Sequence, residues 1–206
     1  FNKDMARTAA SGFRFWRTLS GEAHQPAPII SRIANSTTLR VGDAVRINTG
    51  GFLVSAAVGE TVAGILIGFS DEAGINPFSL GYSRSALTLT GDDTLATSAT
   101  NQTRADFIYG EVVIDPNTLW LNDADEDLDA TDIAGYFDII SSARVIDAST
   151  VSNANGQMQC VLWDPKGSSE NPFGPATADA SFGAFKINES QFAGNGLDTA
   201  TAKRAA

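Results

Sequence analysis

The chain contains a single histidine, His24, and a single cysteine, Cys160, in 206 residues. No disulfide can therefore form within it, no Cys/His zinc site can be assembled, and any catalytic triad would have to use His24. There is also no run of about 18 apolar residues, so no membrane partner is expected. Phosphate-binding loops are missing: Lys166-Gly167-Ser168 has the wrong order, and GxGxxG does not occur. The nearest approach to a nucleophile elbow, Gly81-Tyr82-Ser83-Arg84-Ser85, lacks the final glycine that lets a strand turn sharply into a helix. Carboxylates are plentiful, but spacing along the chain says nothing about the separation in space that a glycosidase pair requires, so that reading is unsupported rather than excluded. The chain is accordingly read as non-enzymatic and without a cofactor. Its first residues, Phe1-Asn2-Lys3-Asp4-Met5, show no charged-then-apolar leader, so a retained signal peptide is not expected.

Charge is scarce as well. Asp, Glu, Lys and Arg make up 18% of the residues, against about 25% in an average globular chain. Ser, Thr, Asn and Gly together fill 67 positions. Such a surface is solvated by hydroxyls and amides, which suits a β-rich protein with many turns. The net charge of -10 argues against nucleic acid as the partner. It is also unevenly placed: residues 1–50 carry net +4 and the remainder net -14. A basic leading segment on an acidic body implies that the two face different surroundings.

What is present reads as strands. Val45-Arg46-Ile47-Asn48 alternates apolar and polar, Gly50-Gly51 marks a hairpin, and Phe52-Leu53-Val54 returns. Val62–Phe69 is almost continuously apolar and of strand length, the pattern of a strand buried on both faces. Further strands are expected over Ala86–Thr90, Phe107–Ile114, Leu119–Leu121, Phe137–Ile140, Met158–Trp163 and Phe185–Ile187, with a short helical turn near Asp132–Tyr136. The fold class is all-β: a small β-barrel or sandwich spanning residues 31–165. Residues 1–30, which end in Gln25-Pro26-Ala27-Pro28, read as an extended basic and aromatic arm. Residues 166–206 read as an irregular strap with one late strand.

Two clusters stand out as candidate sites. In the arm, Phe13, Arg14, Phe15, Trp16 and Arg17 interleave the residue types that dominate binding hot spots, so they are the candidate partner-binding residues. The plainer reading is a first strand packed on the domain with its arginines in solvent. The second cluster sets Asp123, Asp125, Asp127 and Asp129 at alternate positions, the oxygen donors that hard cations prefer. It departs from an EF-hand loop, with Leu128 where that loop needs glycine, and the plainer reading is a solvated loop. His24 is expected to be exposed, and Cys160 to be an inert buried thiol.

Three stretches carry a resemblance. Val41-Gly42-Asp43-Ala44-Val45, Gly51-Phe52-Leu53-Val54-Ser55-Ala56-Ala57 and Gly59-Glu60-Thr61-Val62-Ala63-Gly64-Ile65 resemble the small β-barrel capsid decoration, or cement, proteins of tailed bacteriophages. The shared pattern is a Gly-Asp-x-Val strand, a glycine hairpin and a Gly-Glu-x-Val-Ala strand. Ile114-Asp115-Pro116-Asn117-Thr118-Leu119-Trp120 is also similar to the Asp-Pro strand openings of virion structural proteins. The resemblance covers roughly residues 37–165 and matches neither arm nor strap. It implies a protein on the virion's capsid surface that binds the major capsid protein and reinforces its joints, with self-association, for instance as a trimer. The alternative is a fibre, spike or glycan-binding module of the virion, which would share the polar β surface.

Overall fold

A computed structural model describes residues 12–34, 37, 39–70, 109–126, 128–140, 144–152, 155–163 and 182–192. Among these residues, eleven strands form two antiparallel sheets that stack as a sandwich. The five-stranded sheet comprises β2 (Ile29–Arg32), β3 (Ala44–Ile47), β4 (Leu53–Ser55), β5 (Gly64–Ser70) and β6 (Tyr109–Val113), in the order β2-β6-β5-β3-β4. The six-stranded sheet comprises β1 (Arg14–Thr18), β7 (Thr118–Asp123), β8 (Tyr136–Ile140), β9 (Val145–Ser152), β10 (Met158–Trp163) and β11 (Phe182–Ile187). Its order is β1-β7-β11-β10-β8-β9. Each sheet curls until a single parallel bridge links its two sides. In one, Ile33, after the edge strand β2, meets Leu53 of the edge strand β4; in the other, Ala124, after β7, meets Ile146 of the edge strand β9. Neither sheet closes into a barrel.

The curl explains the continuous apolar run. Adjacent residues on β3, β5 and β6 point to opposite faces, and both faces are covered. Ala44, Ile65 and Val113 join the core between the sheets, beside Trp120, Phe137, Met158 and Phe185. Their neighbours Val45, Leu66 and Val112 join a second core, built by the five-stranded sheet and its connections with Ile33, Leu39 and Leu53. Gly110 is needed there, because a Cβ would stand 2.7 Å from Leu53 Cδ1 and 2.8 Å from Leu66 Cδ1. The hairpin between β3 and β4 forms as expected: the Asn48 carboxamide oxygen accepts from Gly50 N and Phe52 N, and Gly51 supplies the positive φ.

The expected elements and the observed ones differ in three places. The segment read as a detached arm holds β1; Phe13, just before the strand, and Phe15 within it follow the period of two, Phe13 buried in the core and Phe15 packed against it. The late strand of the expected strap, β11, stands inside the six-stranded sheet, paired on one side with β7 and on the other with β10. Strand β9 went unanticipated, because a bulge opposite Tyr136–Asp138 breaks its alternation. The expected helical turn is a short 3-10 turn at Ala130–Asp132, and the expected strand at Ala86–Thr90 lies outside the described residues.

Two buried polar ties join the layers. Asp43, just before β3, accepts from the Arg144 guanidinium, just before β9, and both residues are buried. The second Asp43 oxygen accepts from Arg40 N at 2.7 Å. Gln157 is fully buried: its Nε2 donates to Ala57 O and Glu60 O, and its Oε1 accepts from Ile139 N. Every polar group of that carboxamide has a backbone partner, in the β4–β5 connection on one side and β8 on the other, so its burial carries little penalty. The inward face of β7 is less well served. Thr118 Oγ1, Trp120 Nε1 and Asn122 Nδ2 are buried without a hydrogen-bond partner.

These features generate two expected outcomes. Burial, opposed by the charge of Arg144, pushes the Asp43 carboxyl up from 3.8 to about 6. The folded state therefore takes up a proton before the unfolded chain does; the stability this adds is fully present below pH 3.8 and is lost as the pH rises through about 6. Melting curves of the protein and of Asp43→Asn between pH 4 and pH 7 should show a difference, protein minus variant, that falls as pH rises. A pH-independent difference would refute the assignment. Thr118→Val removes an unpartnered hydroxyl without changing shape, and should leave stability unchanged or raise it by about 1 kcal/mol in chemical denaturation.

Candidate functional site

The residue types that carry catalysis are dispersed. Cys160 is fully buried in the inter-sheet core, and burial pushes its thiol up to about 12, so it is not a nucleophile at neutral pH. His24 is exposed on the connection from β1 to β2. Ser83 lies outside the described residues. Among the described residues, no group of three His, Cys, Asp or Glu side chains is placed to hold a metal ion.

The alternating aspartates are separated by the fold. Asp123 is the buried last residue of β7, kept in the strand by its pairing with Phe182 of β11. Asp125 Oδ1 accepts from Ala148 N at 2.9 Å, and Asp125 N donates to Ile146 O, which fastens the end of β7 to β9. Asp129 is the N-cap of the 3-10 turn, accepting from Thr131 N and the Thr131 hydroxyl. Asp132 Oδ2 accepts in return from Asp129 N, completing a capping box. Hydrogen bonds from Thr131 hold the Asp129 carboxyl below its ordinary value. Asp127 lies outside the described residues. Three of the four aspartates thus end or cap secondary structure, a role that period-two spacing alone could not distinguish from cation binding.

The aromatic and basic stretch is divided by the pleat. Phe13 is buried and its N–H donates to Gly42 O. Phe15 meets Trp120 edge to face, with centroids 6.1 Å apart and an interplanar angle of 80°. These two aromatics therefore bind the chain's own core rather than a partner, which corrects the expectation for them. The outer residues differ. The register of β1 against β7 slips between Phe15 and Arg17, leaving Trp16 as the extra residue of a bulge. The Arg17 guanidinium carbon stands 3.8 Å from the centroid of the Trp16 ring. Arg14 and Arg17 are exposed and Trp16 is half-buried, on an edge strand of the six-stranded sheet.

A feature that sequence reasoning missed lies where β1 ends. A cleft of about 650 Å³ opens between the β1–β2 connection and the turn leading into β7. Thr18, Glu22, His24 and Pro26 line one side, and Asp115 and Asn117 the other. The connection is held in a tight loop, since Thr18 N donates to Glu22 O and Thr18 Oγ1 accepts from Glu22 N. No pattern in the chain announced the cleft, because its walls are about 90 residues apart.

Because the aspartates already serve the fold, calcium should find no high-affinity site on them. Saturation at 100 times a dissociation constant would add about 2.7 kcal/mol. Thermal melts with and without 5 mM calcium, roughly that excess over a site of 50 μM, should therefore coincide within about 1 °C, and a rise of several degrees would contradict this reading.

No family model, curated protein or solved structure matches this chain.

Proposed function

We propose that the chain is a structural protein of the virion that binds the outer surface of an assembled capsid and reinforces contacts between major capsid subunits. The observation that carries this reading is the outer side of β1: a stacked Trp16–Arg17 pair on a bulged edge strand. A bulge at a sheet edge re-aims a side chain, and the stack presents a guanidinium and an indole already ordered, which lowers the entropy cost of binding. The sign of the charge directs this edge toward an acidic partner surface.

The resemblance to decoration proteins supports the same reading, and the fold assigns its residues a structural task. Gly42 sits at φ +92°, a backbone conformation that favours glycine, and its N–H donates to Leu66 O. Asp43 makes the buried ion pair. Glu60 closes the turn before β5 by accepting from Ala57 N at 2.8 Å, and it pairs with Arg46 at 2.5 Å. The matched motif is thus the scaffold of the five-stranded sheet, while attachment is assigned to β1, outside the matched stretch.

Co-sedimentation with shells that lack the protein tests the proposal. The intact chain should pellet with them, and Trp16→Ala should weaken attachment by roughly 30-fold, as a hot-spot residue worth about 2 kcal/mol would, with little change in melting temperature. Phe15→Ala should do the reverse, lowering the melting temperature by several degrees through loss of its contact with Trp120. Failure of the intact chain to bind shells overturns the proposal.

A further inference from the structure

We infer that the cleft at the end of β1 receives a basic side chain, the ammonium or guanidinium group of a lysine or arginine on a partner protein. The inference rests on the proposed shell-binding role only for the source of that side chain. At about 650 Å³ the cleft has ample room for such a group and part of its stem. Two of its lining residues, Glu22 and Asp115, carry carboxylates, and among the described residues no lysine or arginine lines it. Glu22, His24 and Gln25 make no side-chain hydrogen bond or ion pair among the described residues. Asp115 Oδ1 accepts from Asn117 N at 2.9 Å, leaving Oδ2 to accept from a ligand.

The local charge decides the ligand class. An anion would meet two carboxylates with no lysine or arginine among the described lining residues to offset them. A neutral polyol would have to displace water from both without gaining an opposite charge. A cation gains from each, and Pro26 and Leu19 offer apolar surface to the methylene stem of a lysine or arginine. The cleft also begins at Thr18, the last residue of the strand that carries Trp16 and Arg17. A partner seated on β1 would reach it without a second docking site, so that a basic side chain of the partner enters the cleft while Arg17 meets an acidic one. Opposed charge pairs of this kind fix register at an interface.

The single histidine makes the test direct, because the His24 ring gives one unambiguous set of NMR signals. The probes are Nα-acetyl-arginine methylamide, its uncharged citrulline counterpart, and methyl glucoside. The arginine probe should shift the His24 signals saturably, and Glu22→Gln combined with Asp115→Asn should weaken it at least threefold, since each exposed pair is worth up to about fivefold. A non-saturating drift, an equal response to the citrulline probe, or an unchanged affinity in the double variant overturns the inference. A response to methyl glucoside alone marks a polyol site and overturns it too. If the double variant loses the probe yet co-sediments with shells undiminished, the side chain does not come from that partner, and the inference fails. If the intact chain ignores shells but binds the probe, the shell-binding role fails while the cation preference stands.

Discussion

A carboxylate and a guanidinium meet out of water where the two sheets come together, and much of the architecture is arranged around that contact. Asp43 and Arg144 are 101 positions apart, so their encounter requires both sheets to be in register. Around them, Phe13 N donates to Gly42 O, Leu66 N to Asp43 O and Asp43 N to Arg40 O. Gly12 lies so close that a Cβ there would stand 2.8 Å from Arg144 Nη2. Removing one member of such a pair strands the other charge in a medium that solvates it poorly. The pair is therefore weak as a source of net stability and strong as a condition on how the layers align.

The second condition is that the five-stranded sheet is a wall shared by two cores. A one-residue slip of β5 would exchange Ile65 with Leu66 and send side chains shaped for one core into the other. Gly110 and Gly42 serve this wall by allowing approaches that a side chain would block. The wall leaves little freedom for the resembling motif to do anything but build it, and the proposed binding functions are accordingly assigned to the periphery, on β1 and the connection that follows.

How much of this could be read in advance depends on whether a signal was local. The β3–β4 hairpin and β10 were legible because glycine pairs and short alternation act over a few residues. β5 was legible because burial on both faces leaves a continuous apolar run. β1 was obscured by Arg14, Trp16 and Arg17, and by the prolines at 26 and 28, although Phe13 and Phe15 already held the period of a strand. Its bulge breaks that period after two residues, and no local pattern marks a bulge. The ion pair, the Gln157 bridge and the cleft are products of long-range closure. Of the proposed partner-binding residues, Trp16, Arg14 and Arg17 lie on the outer side, while Phe13 and Phe15 do not.

Gln191 has a consequence for crowding. At Ile47 the β3 backbone is paired with β4 on one side, while its pairing with β5 is confined to Ala44 and Val45. There the Gln191 carboxamide takes the place of a strand, with Oε1 accepting from Ile47 N at 2.7 Å and Nε2 donating to Ile47 O at 3.1 Å. An open strand edge is a template on which other chains polymerise. A single side chain blocks that growth point without adding another strand. Copies that meet at high concentration are thereby kept from fusing their five-stranded sheets through this stretch of β3.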